Sequence, residues 1–242
     1  VREKLTIGWI DGGGVSGAFL HSMIPLALFE ERSPSDRYEV IDYIRVFGGG
    51  KAESRNKIVD ISREMGAEWI VQIDADHSFD SNLVRVLMRI ADKDSRPIVT
   101  GLYSNTHEMR EPTGEFQVHD AVYGEHESGG YQAIQSPDGV HPFRVDAFGT
   151  GVLLTHVSVY DTIPEPWYEE RVFADKPGSR PVIVGEDISF CRKARECGYE
   201  LWCDPAAECT HWKTLPLKPS TFRDFMQKQA SAKEQLKRAA GG

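Results

Sequence analysis

The sequence predicts an α/β fold, a mixed and mostly parallel central sheet flanked by helices. Three observations carry that prediction. Short apolar runs alternate with segments of helical period, and glycine clusters separate one from the next. The 242 residues also contain 40% hydrophobic and 27% charged side chains, ordinary for a soluble globular chain able to bury a sizeable core. No run approaches the roughly eighteen uninterrupted apolar residues of a membrane-spanning helix.

Lys4 to Ile10 reads as a buried strand, after which the glycines at 12 to 14 turn the chain into an apolar segment from Val15 to Phe29. His21, Ser22 and Pro25 interrupt that segment, and a strand rather than a basic region precedes it, so it fits a buried helix better than a signal peptide. Tyr38 to Phe47 alternates as a second strand ending in Gly48-Gly49-Gly50. Ala52 to Met65 then sets Ile58, Val59, Ser62 and Met65 on one helical face. Trp69 to Ile73 is a third strand, Asn82 to Ala91 a third helix, and Pro97 to Tyr103 a fourth strand. This recurring strand-helix order is what implies parallel pairing with helices on both faces.

Between Ser104 and Arg144 the periodicity dissolves, as in a functional excursion or a set of small hairpins on the substrate side. Ala147 to Thr155 supplies another strand, interrupted by Gly149 and Gly151, and Pro164 to Pro181 reads as a proline-rich loop carrying Trp167 and Tyr168. A helix from Glu186 to Cys197 ends at Gly198, followed by a strand from Tyr199 to Cys203 and a turn at Asp204-Pro205. One domain is therefore expected over residues 1–212, in halves 1–103 and 104–212, with a tail over 213–242.

Twenty-eight Lys and Arg against thirty-seven Asp and Glu give a net charge of -9, which argues against nucleic acid or an anionic membrane as the main partner. From Trp212 onward, seven basic residues against two acidic ones make the tail +5 and the remainder -14. Phe222, Phe225, Met226 and Leu236 can share a helical stripe there. The tail thus reads as a helix packed on its own domain, with a homo-oligomer or membrane-surface contact as alternatives. Cys191, Cys197, Cys203 and Cys209 are too few for a disulfide scaffold, and their six-residue spacing lacks the close pairs of structural zinc sites. Reduced thiols are expected and, with no leader-like segment, a cytoplasmic location.

The chemistry concentrates in three places. Ile73-Asp74-Ala75-Asp76-His77 sets two carboxylates at the end of an apolar strand, where side chains project into a ligand crevice and both acids can meet one hard divalent cation. The same residues also serve surface turns and caps. Gly185-Glu186-Asp187 opens a helix, where acids suit the macrodipole, while an Asp beside a reacting hydroxyl can also act as general base. His211, in Cys209-Thr210-His211-Trp212, offers an imidazole ligand.

In this order, with Ser54-Arg55-Asn56 before a helix, Trp69 to Asp76, and Phe148-Gly149-Thr150-Gly151, the chain resembles glycosyltransferases of the GT-A fold, most nearly the family-2-like group. The resemblance covers roughly Leu5 to Trp212. It implies a nucleotide-sugar-binding half, an acceptor-binding half, and a Mn2+ or Mg2+ ion held by Asp76 and His211 with Asp74 beside it. Asp187 is implied as the base of an inverting transfer to a hydroxyl acceptor, with Glu186 next to it. Asp11, Lys51, Arg55, Asp74, Ala75 and Asp76 are the nucleotide-sugar candidates. Gly149, Thr150, Gly151 and Trp212 are the acceptor or sugar candidates, and Trp167 and Tyr168 are candidate stacking platforms. A glycan, protein or small-molecule hydroxyl would be the acceptor. A sugar nucleotidyltransferase, a metal-dependent phosphodiesterase and a catalytically silent nucleotide-sugar-binding protein are the alternatives.

Overall fold

Strand and helix alternate through the first hundred residues: β1 (Glu3–Asp11), α1 (Gly17–Arg32), β2 (Tyr38–Phe47), α2 (Lys51–Glu64), β3 (Trp69–Asp74), β4 (His77–Phe79), α3 (Leu83–Ile90) and β5 (Ile98–Leu102). The structure is a computed structural model describing residues 1–108, 116–126, 130–173 and 182–214. Further on come β6 (Ser104–Glu108), β7 (Phe116–Asp120), β8 (Val122–Glu125), β9 (Tyr131–Ala133), β10 (Phe143–Val145), β11 (Ala147–Phe148), β12 (Val152–His156) and α4 (Ser158–Thr162). The last elements are β13 (Arg171–Phe173), β14 (Val182–Val184), α5 (Glu186–Glu196) and β15 (Leu201–His211).

The main sheet has the order β10-β15-β5-β12-β3-β1-β2, with β4 paired to the far end of β15. β1 lies parallel to β2 and β3, and β15 parallel to β5. β12 is antiparallel to both β3 and β5, and β10 is antiparallel at the edge. Five strands of that path therefore run one way and two the other: the sheet is mixed and mostly parallel.

Its interior strands are apolar because both faces are covered. Alternation sends Trp69, Val71 and Ile73 to one face, with Phe19, Leu26, Leu83 and Leu87 of α1 and α3. Ile70 goes to the other, with Ile58, Val59 and Phe190 of α2 and α5. Consequently the carboxyl ends of β1, β3 and β5 and the end of β15 gather along one margin, the place where an open α/β sheet binds ligands.

The structure departs from the expected elements in several places. The segment from Ala147 to Thr155 is two strands in different sheets, since β11 pairs with β8 while β12 enters the main sheet. At Asp204-Pro205 there is no turn: β15 continues, its register against β5 shifting between Asp204 and Glu208. A bulge tolerates a proline, which has no N–H for the ladder. The expected excursion holds β6 to β9 in small sheets, while β10 joins the main one. Trp167 and Tyr168 are core residues rather than platforms, with Tyr168 stacked on Phe190 at 4.7 Å.

Ser54-Arg55-Asn56 lies inside α2, where Asn56 exchanges two hydrogen bonds with the backbone of Tyr168. All four cysteines are free, and burial pushes the thiols of Cys191, Cys203 and Cys209 well up. The tail helix expected over 213–242 lies almost entirely outside the described residues. The chain divides into two units, Val1–Asn105 with Val118–Trp212, and Thr106–Gln117 with Lys213–Gly242; the main sheet belongs to the first. Among the described residues no helix is long and apolar enough to cross a membrane.

Candidate metal and catalytic site

The Asp74-Ala75-Asp76 segment is fixed by its backbone. Asp74 N donates to Gly151 O at 2.8 Å, Ser16 N to Ala75 O at 3.1 Å, and Trp212 N to Asp76 O at 2.8 Å. Three segments far apart in sequence, the residue before β12, the N-cap of α1 and the residue after β15, thus set how the two carboxylates leave the sheet. Ala75 contributes its carbonyl to that frame.

Asp76 meets two imidazoles. Its Oδ1 lies 2.9 Å from His77 Nδ1 and its Oδ2 lies 3.1 Å from His211 Nε2. Burial works against the charged carboxyl, but the neighbouring imidazoles of His211 and His77 win, holding it well below the usual carboxylate range. His77 and His211 are cross-strand partners of β4 and β15, so their rings stack at 4.4 Å and 15°. Tyr103 stands edge-wise to both, at 4.6 Å from His77 and 5.5 Å from His211. Among the described residues, Asp76, His77 and His211 bring one ligand atom each within 4.8 Å of one another.

Asp74 is not in that group. Its Oδ1 accepts from Arg55 Nη2 at 2.7 Å, and Arg55 Nε reaches Glu186 Oε1 at 3.5 Å. Arg55, a nucleotide-sugar candidate, is 2% exposed on its side chain and joins α2, β3 and α5 through two carboxylates. Asp74, expected beside the metal, is likewise turned to Arg55. Burial opposes the guanidinium charge, yet Asp74 and Glu186 hold it firmly protonated.

Asp187 follows Glu186 at the start of α5, and its Oδ1 accepts from Ile188 N at 2.8 Å. Burial, then the adjacent Glu186 charge, raise its carboxyl above the ordinary aspartate value, while Arg55 and Lys51 pull the other way. Tyr103 feels Asp74 and Asp187 alike. Burial raises its hydroxyl first, and both charges add to the effect. Lys51 is exposed at the start of α2 and lines a cleft of about 770 Å3 with Asn56, Tyr168 and Glu169.

The remaining candidates are placed differently from expectation. Asp11 is engaged by the protein: Oδ1 accepts from Gly13 N at 3.0 Å and Oδ2 pairs with Arg45 Nη2 at 2.5 Å. The Gly13 bond is the main reason its carboxyl is lowered. Gly149, Thr150 and Gly151 are buried. A Cβ on Gly149 would fall 2.2 Å from Tyr103 Oη, and one on Gly151 would fall 2.6 Å from His77 Nε2 and 2.7 Å from Tyr103 Cζ. The protein's own rings, rather than an acceptor, therefore demand these two glycines. Trp212 is 55% exposed at the site's rim, its Nε1 donating to Ser78 Oγ at 2.8 Å.

Sequence reasoning passed over His77 and Tyr103. His77 follows the acidic pair directly, a visible signal, but its stacking on His211 comes only from the pairing of β4 with β15. Tyr103 carries no local signal.

No protein-family model matches the chain, and no curated protein sequence does. Among solved structures, it is similar to GalNAc-T7 with UDP, GalNAc and Mn2+, at 12% identity over 88% of this chain, with a TM-score of 0.58. The chain spans 44% of that one. It is also similar to A197 from STIV, at 14% identity over 89% of this chain and 97% of that one, TM-score 0.47. A third likeness is to CMP:2-keto-3-deoxy-manno-octonic acid synthetase complexed with CTP, at 11% identity over 96% and 100%, TM-score 0.44. The mixed central sheet with flanking helices is thus the GT-A-like fold of nucleotide-diphospho-sugar transferases.

Proposed function

We propose that the chain is a metal-dependent glycosyltransferase, moving a sugar from a nucleotide-diphosphate sugar to a hydroxyl acceptor with inversion and with Asp187 as base. The observation that carries this reading is the meeting of Asp76 and His211. His211 Nδ1 lies 3.3 Å from Ser104 O, an acceptor that favours the proton on that nitrogen. Its Nε2 then presents a lone pair to a carboxylate oxygen at 3.1 Å, an arrangement that calls for a proton or a cation between them. One carboxylate with one imidazole suits Mn2+ better than the all-oxygen preference of Mg2+. Asp76 and His211 would hold the ion, and Asp76, at 43% exposure, is open to it. When bound, such an ion supplies positive charge opposite the departing diphosphate, which a body of charge -14 otherwise lacks.

Asp187 has its Oδ1 committed to Ile188 N, leaving Oδ2 to take the acceptor's hydroxyl proton. A carboxylate raised by burial is a stronger base than an ordinary aspartate. As the proton leaves, the acceptor oxygen bonds to the anomeric carbon, and the electron pair of the breaking bond departs with the nucleoside diphosphate. Arg55 offsets the charge of Glu186 beside the base, exposed Lys51 lies within electrostatic reach, and the Trp212 indole offers a face to a sugar ring.

Incubation with a panel of nucleotide sugars and Mn2+, followed by nucleoside diphosphate release, tests the reading. Asp76→Asn is expected to abolish metal-dependent donor binding. Absence of binding or turnover with every donor, or a wild type indifferent to metal, overturns it.

A further inference from the structure

We infer that His77 is a positioning residue for the metal site, acting through Asp76 and His211 without itself binding the ion. The inference rests on the proposed metal reading and adds a residue to it. Four observations converge. His77 is 1% exposed on its side chain, against 43% for Asp76. Its Nδ1 is spent on Asp76 Oδ1, which as a carboxylate only accepts, so that nitrogen carries the proton. Its Nε2 is buried without a hydrogen-bond partner and lies against the space above Gly151, where a Cβ would come within 2.6 Å. Finally, its ring lies nearly parallel to that of His211. Lone pairs lie in the ring plane, and two planes 15° apart and stacked cannot both aim a nitrogen at one ion.

What His77 can do from there is hold. Its N–H fixes one oxygen of Asp76, leaving the other to face His211, and its ring face sets the plane of His211. Loss of such a supporting partner typically weakens metal affinity by roughly 10- to 100-fold.

The test is Mn2+ titration of the full chain followed by electron paramagnetic resonance, with nitrogen couplings to the bound ion counted. His77→Phe keeps the ring and loses the donor; Mn2+ affinity is expected to fall ~10- to 100-fold. His77→Asn places an amide N–H at the position of Nδ1 and is expected to restore affinity to within a few-fold of wild type, a rescue that ring packing alone would not produce. The wild type should show coupling to one nitrogen, that of His211, and this count needs no variant to fold. A second coupled nitrogen in the wild type makes His77 a ligand and overturns the inference. Unchanged Mn2+ affinity in His77→Phe overturns it as well. A wild type that binds no Mn2+ refutes instead the metal reading on which it rests.

Discussion

Arg55→Met is the perturbation whose outcome follows most directly from the structure. The guanidinium is 2% exposed and sits between Asp74, at 2.7 Å, and Glu186, at 3.5 Å. Methionine keeps much of the aliphatic stem, so packing largely survives while two carboxylates lose their shared cation. Removing one partner of a buried ion pair costs about 3–5 kcal/mol. Asp74 remains 23% and Glu186 11% exposed, so water takes up part of the stranded charge and the low end, about 3 kcal/mol, applies. For a chain of this size that corresponds to a melting point lower by roughly 6–12 °C. Urea unfolding followed by tryptophan fluorescence, with calorimetry for the melting point, measures both. Adding Asp74→Asn and Glu186→Gln to Arg55→Met should recover a large part of the loss, because neither of the two former partners is then left as a stranded charge. A single variant within 0.5 kcal/mol of wild type, or a triple variant worse than the single, refutes the ion-pair argument.

Other outcomes follow from the same geometry. Asp187→Asn keeps an oxygen for Ile188 N but cannot accept a proton, so transfer should fall by about 10²- to 10⁴-fold with donor binding intact; unchanged transfer removes the base assignment. Because burial raises the Asp187 carboxyl in the folded state, its ionised form weakens the fold once pH exceeds the unfolded aspartate value. The same variant should therefore be more stable than wild type at pH 7 and no more stable at pH 3, as paired urea titrations would read. Gly149→Ala places a methyl 2.2 Å from Tyr103 Oη and should destabilise by about 1–3 kcal/mol. Tyr103→Phe removes the clashing oxygen, so the double variant should lose less than the sum of the two singles.

Local pattern was enough wherever one strand or helix buries an apolar face by itself. Tyr38 to Phe47 and Trp69 to Ile73 announced their strands because both carry apolar runs bounded by breakers. The acidic pair and His211 were legible because residue type and strand-end position coincide. What escaped depends on neighbours distant in sequence. Pro205 reads as a turn until β5 and β4 are seen to hold β15 on either side of its bulge. Arg55 reads as a surface cation at a helix start until Asp74 and Glu186 close over it. Gly149 and Gly151 read as room for a ligand, yet the occupant is the protein's own tyrosine and histidine. Trp167 and Tyr168 carry no mark to tell a core aromatic from a sugar platform.

The pairing of His211 opposite His77 sets the two imidazoles by strand register, although they lie more than half the chain apart in sequence. A slip of one residue in β15 would bring Thr210 or Trp212 opposite His77, so the ladder acts as a ruler for the site. Loops between those two strands can lengthen, shorten or change composition without altering what that ruler reads. The spacing of the two imidazoles is therefore set by the ladder and not by the length of chain between them.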